Sequence, residues 1–366
     1  MDFDLSPDQL ALRDAAREFL DDQCPPRRIR AAHESASGWD AELWAAMVDL
    51  GWLGVALPES DGGLGFGLVE LAVLMEETGR HTNPTPWTQN AIAIAVAHRA
   101  DDAELVSRLL TGAPACVVWS PRPGSLTAAS DHRITGRSDP VAFASVATMA
   151  IVVAAEADGS GDGSRDGSGV FVVEIDADVR PARDSAMDLS RPLGRFDFDG
   201  VPARRIGGPE LVEFLLDVAA TAASIELLGA SEVAMTLAVE YAKERVQFGR
   251  PIGSFQAVKH RCADMLVDVE GIRSSAYWAA WCLSVGDPDA SIAASTAKIW
   301  ATDASKRVMA SALQVHGGIG FTWEHDLHLY MKRAQFDQVS FGDASFHRDR
   351  LGRALRVKVE SGVSVL

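Results

Sequence analysis

Apolar residues recur at helical spacing at both ends of this chain and alternate, strand-like, in the middle, and that order limits the possible folds more than any single motif does. Ser6-Pro7-Asp8-Gln9 reads as a helix start, with serine at the N-cap, proline at the first helical position and glutamine closing a capping box. Leu12, Ala15, Ala16, Phe19 and Leu20 then line one helical face. The pattern predicts a second helix over Ala41–Leu50 and another over Leu68–Gly79, with Gly79 as its C-cap. Between them, LGVALPESDGGLGFG (53–67) is a glycine-rich turn. From about Ala115 the segments ACVVW, HRITG, ATMAIVVAA, GVFVVEID and RFDFDGV read as short strands, and Gly159–Gly169 as a polar, flexible hairpin tip. Helices resume at Glu210. Val258, Cys262, Met265, Val269, Ile272 and Ala276 alternate four and three apart, the seam of an antiparallel bundle. A further helix is expected over about Ser291–Val315, stopping at Gly317-Gly318. The fold class that follows is α+β, mainly α: an N-terminal helical domain (1–113), a central β-barrel-like domain (114–207) and a C-terminal four-helix bundle (208–366).

Several function classes are disfavoured by composition. A formal net charge of −17 opposes non-specific nucleic-acid binding. No apolar stretch is long and charge-free enough to span a membrane, and the acidic start MDFDLSPDQL lacks the parts of a signal peptide, so a cytoplasmic location is expected. Cys24, Cys116, Cys262 and Cys282 are scattered without a CxxC pair and read as reduced thiols. GGLGFG lacks the third glycine of a dinucleotide fingerprint and the strand that should precede one. His325 and His328, three apart on an expected helix, lack a convincing third metal ligand.

Two separated runs carry the functional reading: YAKERVQFGRPIGSFQAVKHRCADM (241–265) and LQVHGGIGFTWEHDLHLYMKRAQ (313–335). Together they resemble the C-terminal helical domain of flavin-dependent acyl-CoA dehydrogenases. LGWLGVALPESDGGLGFG resembles that family's N-terminal domain, and the helix–strand–helix order matches its architecture over nearly the whole chain. The resemblance implies that FAD lies across a subunit boundary, with its ADP half clamped by Arg245, Phe248 and Gln256 of the first run and Gln314, Gly317 and Gly318 of the second. Those residue types suit the task. A pyrophosphate needs a fixed cation and open backbone N–H groups, and paired glycines let backbone approach a ligand.

The family's chemistry residues are replaced. Dehydrogenation of an acyl thioester needs a carboxylate base, donors at the thioester oxygen and a hydride acceptor. Where the family places its catalytic glutamate, VSFGD puts Phe341. At the alternative position on the preceding helix stands Ala219, followed by Ala220 where an arginine is common. Val118-Trp119-Ser120-Pro121 and Pro140-Val141-Ala142 occupy the segments that seat the flavin, and a proline and an alanine cannot make those hydrogen bonds. Asp343, two residues on, is either a displaced base or the N-cap of the next helix.

Three readings remain open. The favoured one is a subunit of a heterotetrameric acyl-CoA dehydrogenase of the actinobacterial, steroid-degrading kind, which donates the ADP clamp to FAD held by a homologous catalytic chain. The others are a self-sufficient homotetramer using Asp343, and an FAD-free structural or regulatory homologue. The resemblance also implies an electron-transfer flavoprotein as electron acceptor.

Overall fold

The computed structural model describes residues 4–122, 124–156 and 167–362. In chain order the helices are α1 (Pro7–Gln23), α2 (Pro26–Glu34), α3 (Ala41–Asp49), α4 (Leu68–Arg80), α5 (Trp87–Arg99), α6 (Ala103–Leu110), α7 (Pro209–Glu244), α8 (Gln256–Val285), α9 (Ala290–His316), α10 (Leu327–Val339) and α11 (Ala344–Glu360). The strands are β1 (Ala115–Val118), β2 (Leu126–Ala128), β3 (Arg133–Arg137), β4 (Val141–Ala142), β5 (Met149–Glu156), β6 (Ser168–Glu174), β7 (Leu193–Gly194), β8 (Asp197–Pro202), β9 (Arg204–Gly207), β10 (Val246–Gln247) and β11 (Arg250–Pro251). The α+β, mainly α class is as expected. The hairpin tip read over Gly159–Gly169 lies, up to residue 166, outside the described residues. No helix among the described residues is long and apolar enough to cross a membrane.

The chain forms two compact units, and the division falls inside α4 and α7. The first comprises Met1–Pro26, Ala72–Asn83 and Ala220–Leu366. Its core is the expected seam: Met265, Val269, Ile272 and Ala276 of α8 are buried, with Val258 and Cys262 partly so, and Ala301, Ala304, Val308 and Ala312 of α9 are buried with them. Small residues on α9 let two long helices approach closely. At the start of α1, Ser6 Oγ accepts the Gln9 N–H at 3.2 Å and Gln9 Oε1 accepts the Ser6 N–H at 2.9 Å, the capping box read from sequence.

One expectation in this unit fails. Gly79 does not cap α4, which continues to Arg80. A Cβ at Gly79 would lie 2.6 Å from the Glu226 carbonyl oxygen, and one at Gly229 would lie 2.2 Å from that of Glu76. The two glycines are where α4 and α7 cross backbone to backbone. A layer of charge flanks the crossing: Arg273 bonds Glu76 at 2.5 Å and Glu232 at 3.0 Å, Tyr277 donates to Glu76 at 2.7 Å, and Arg17 bonds Glu77 at 2.6 Å.

The second unit comprises Arg27–Leu71 and Pro84–Ala219. Its sheet has seven strands, ordered β8-β3-β2-β5-β6-β9 with β1 beside β5. β1 and β2 pair in parallel with successive halves of one edge of β5, and β6 pairs antiparallel with the other. Val152, Phe171, Val173, Phe196 and Phe198 fill its core. Polar side chains tie α5 to β1: Asn90 Oδ1 accepts the Ala115 N–H at 2.9 Å and Gln89 Oε1 the Val117 N–H at 3.0 Å. Among the described residues β1 pairs only with β5, and these bonds satisfy donors on its other edge.

Candidate functional site

The first clamp segment begins where α7 ends. The Arg245 N–H still reaches the Tyr241 carbonyl at 2.8 Å, and the Arg245 carbonyl accepts the Ile252 N–H at 2.8 Å, closing the base of a β10–β11 hairpin. Phe248 and Gly249 form its two-residue tip, with φ +53° and +77°. A two-residue hairpin turn with both residues left-handed matches the twist of its strands, but only glycine adopts that shape without cost. Phe248 holds it with its ring 91% exposed, edge-on to Phe255 at 6.1 Å. Arg250 covers the other ring, its guanidinium 4.2 Å from the Phe255 centroid. Gln256 opens α8, its amide nitrogen 3.4 Å from His260 Nε2.

This stretch is a basic island. Lys243, Arg245, Arg250, Lys259 and Arg261 face a single acid, Glu244, within residues 243–261 of a chain whose net charge is −17. The Arg245 side chain is exposed and has no hydrogen-bond or ion-pair partner among the described residues. An unpaired guanidinium beside open backbone suits a phosphate.

The second segment begins where α9 ends. Gly317 takes φ +63° and ψ −140°, and its N–H caps the Leu313 carbonyl. A 3-10 turn over Gly317–Phe321 follows. Nothing lies within 4 Å of where a Cβ on Gly317 or Gly318 would sit. The chain's own packing therefore does not require glycine at 318, and the backbone there is open to a ligand. Gln314 is exposed one turn earlier. The structure joins the two segments through a contact that the sequence did not reveal. Tyr241, one turn before Arg245, stacks on His316, the residue before Gly317, with ring centroids 4.8 Å apart. No contact among the described residues joins Gln256 to Gln314.

The positions that would carry chemistry are built differently. Phe341 is half-buried with φ +55°, followed by Gly342 at +98°. His347 Nε2 donates to the Phe341 carbonyl at 2.9 Å. Lys298, fully buried, donates to the carbonyls of Asp337 at 2.9 Å and Gln338 at 3.1 Å, and Gln338 bonds Ser305 at 3.0 Å. Burial pushes the Lys298 ammonium down to about 7, against the pull of Asp337 and Asp343. Asp343 is exposed and N-caps α11, its carboxylate accepting the Phe346 N–H at 2.9 Å. Ala219 and Ala220 are fully buried in α7. Val141 and Ala142 are buried in β4, paired to β7. Ser120 spends its hydroxyl on Asp139 at 2.7 Å, and Arg122 also bonds that carboxylate.

His325 departs from expectation. It precedes α10 rather than lying on it, and its Nδ1 accepts the Leu327 N–H at 3.1 Å. His328 is buried on α10, edge-on to Trp323 at 4.8 Å. The separation of three therefore does not place the two rings on one helical face.

Two family models match the chain: acyl-CoA dehydrogenase, N-terminal domain, over residues 6–112, and acyl-CoA dehydrogenase, C-terminal domain, over residues 207–356. The acyl-CoA dehydrogenase FadE27 of Mycobacterium tuberculosis is 30% identical over 377 residues, covering 97% of this chain and 99% of that protein. Among solved structures, a chain of the Tcur3481-Tcur3483 steroid ACAD superposes with a TM-score of 0.87 at 32% identity, covering 96% of this chain and 99% of its own. A chain of the ChsE4-ChsE5 complex from Mycobacterium tuberculosis superposes with a TM-score of 0.88 at 30% identity, covering 97% and 99%.

Proposed function

This chain belongs to the acyl-CoA dehydrogenase family, and from that premise we propose that it is the FAD-clamping subunit of a hetero-oligomeric acyl-CoA dehydrogenase whose base and flavin seat lie on a homologous partner chain. The observation that carries this reading is the contrast within its first unit. The Arg245 hairpin and the Gly317-Gly318 turn present an unpaired cation and open backbone, whereas Phe341 stands in a left-handed loop whose following carboxylate, Asp343, caps α11. Similarity to chains of a ChsE4-ChsE5 complex and of a steroid ACAD supports a paired assembly and an acyl-CoA substrate with a steroid-derived side chain. An electron-transfer flavoprotein is the acceptor in this reading. The family-model limits at 112 and 207 support a division into domains 1–113, 114–207 and 208–366.

The residues present fit one half of FAD and not the other. Arg245 would neutralise the pyrophosphate, and Gln314 would add a hydrogen bond from the neighbouring turn. Phe248 would offer its exposed face to the adenine, and Gly317 and Gly318 would let backbone N–H groups approach the phosphates. Gln256 flanks the same hairpin. Pro140 and Ala142 supply no side-chain donor to a flavin ring, so the flavin half does not fit this chain. Bound FAD supplies the hydride acceptor for the assembly. This chain contributes binding and orientation, and removal of the substrate proton falls to its partner.

Arg245→Ala in the assembly co-purified with its partner tests the assignment. It should cost about 1.5–3 kcal/mol of FAD binding, roughly tenfold or more in affinity, without lowering the melting temperature of the flavin-free assembly. Unchanged flavin retention would refute it.

A further inference from the structure

We infer that His316 is a positioning residue whose neutral imidazole ties the Arg245 hairpin to the Gly317-Gly318 turn, so that acid loosens both halves of the clamp together; this rests on the FAD-clamp reading above.

His316 ends α9 and is only 4% exposed. Its ring stacks on Tyr241 at an interplanar angle of 24°, and the Tyr241 carbonyl holds the Arg245 N–H. The edge of the His325 ring closes another side at 4.5 Å and 65°. Gly320 folds back over it: a Cβ there would stand 3.0 Å from His316 Cβ. One imidazole is thus packed against α7, the turn after α9 and the segment before α10. A shift of its ring moves the base of the hairpin and the glycine turn at once.

Its hydrogen bonds determine its protonation state. Nδ1 lies 2.8 Å from the Ala312 carbonyl, which can only accept, so Nδ1 carries the hydrogen. Nε2 is then the lone-pair nitrogen, buried without a hydrogen-bond partner among the described residues. A proton at Nε2 would make a buried charge with no acceptor, a far costlier state than a buried lone pair. Among the described residues, the titratable groups facing the ring are Tyr241 from α7 and His325 from the segment before α10. His325 uses Nδ1 to accept from Leu327, so its own proton sits on Nε2. Neither side chain is a carboxylate that could balance such a charge. Burial is the leading cause holding His316 below the ordinary histidine range, the Ala312 carbonyl opposes it, and His325 adds to the depression. The closed packing therefore favours the neutral ring. A conformer with the ring turned into water takes up a proton freely and gains population as pH falls below the ordinary histidine value.

The experiment follows FAD dissociation from the co-purified assembly by flavin fluorescence between about pH 7.5 and about pH 5.5. Wild-type affinity should fall across that range, by at most about tenfold, the limit a single histidine supplies. His316→Phe keeps a stacking ring that cannot be protonated, so its affinity should be flat with pH and within about threefold of wild type at neutral pH. Tyr241→Leu removes the stack and should bind about tenfold more weakly at both ends of the range. Hydrogen exchange over residues 241–250 and 313–321 supplies a readout independent of flavin. Measured against the intrinsic exchange rate at each pH, protection should fall with acid in both segments of the wild type and in neither segment of His316→Phe. A pH-independent wild type, a His316→Phe profile like that of wild type, or an acid-induced loss of protection confined to one segment would overturn the inference. An assembly that holds no FAD at neutral pH would refute the clamp reading instead, and the exchange arm would still decide the role of His316.

Discussion

The first unit contains two Phe-Gly turns with nearly the same backbone and opposite surroundings. Phe248-Gly249 and Phe341-Gly342 both place a phenylalanine at φ near +54° before a left-handed glycine. At the first, the ring is in solvent and nothing approaches the position of a Gly249 Cβ. At the second, His347 holds the Phe341 carbonyl, Lys298 holds the two carbonyls that end α10, and a Cβ on Gly342 would meet the Phe346 ring at 2.3 Å. A strained backbone persists only where its surroundings over-determine it. The loop at 341 meets that condition from within the chain. The tip at 248 leaves its face open, the condition of a surface completed by something else. The comparison sets a turn left open to solvent against one held from within the chain.

Breaking the buried frame should have the largest effect. Lys298→Met keeps the volume but strands the carbonyls of Asp337 and Gln338, which should cost about 2–5 kcal/mol in denaturant melts. The pH dependence has a definite sign. Lys298 titrates near 7 in the fold and near its ordinary value of 10.5 when unfolded, so the unfolded chain holds the proton over the interval between them. Wild-type stability should rise with pH across that interval and level off below it, and the methionine variant should lack this slope. A variant with the wild-type slope would remove Lys298 from the frame.

The glycine pair gives the next effect and tests the comparison directly. Gly342→Ala adds a clash with Phe346 to left-handed strain and should cost about 2–4 kcal/mol. Gly249→Ala meets only open space and should cost about 1 kcal/mol. Equal losses in melting experiments would mean that the two turns do not differ as described.

The smallest effect is expected at Asp343. Asp343→Asn weakens a cap by about 1 kcal/mol or less and should leave turnover of the assembly nearly intact. Loss of a positioned base would instead lower the rate by roughly 10²–10⁴. A fall of that size, with FAD retained, would make Asp343 the base and the protein a self-sufficient enzyme.

Much of the fold was legible because its signals are local. The Ser6 capping box, the α8 seam and the five expected strands each declare themselves within a few residues. What escaped depends on partners distant in sequence. Gly79 reads as a helix stop until Glu226 is seen against it, and no residue near Lys298 in sequence announces the two carbonyls some forty residues on that enclose it. β4 and β7 have two residues each and exist through their mutual pairing, which has no local signature. At the candidate site, residue types and spacing were readable in the runs from 241 and 313. The Tyr241–His316 stack that joins them was not, because each aromatic alone looks like an ordinary member of a helix face. The capping role of Asp343 was readable, since aspartate before a helix start has a known local geometry.

The central claim is that this chain clamps FAD without seating it, and flavin stoichiometry after purification tests that most directly. The chain expressed alone should be colourless, and the same chain co-purified with its partner should be yellow, with flavin lost when Arg245 is replaced by alanine. One tightly held FAD per chain in the protein expressed alone would contradict the account.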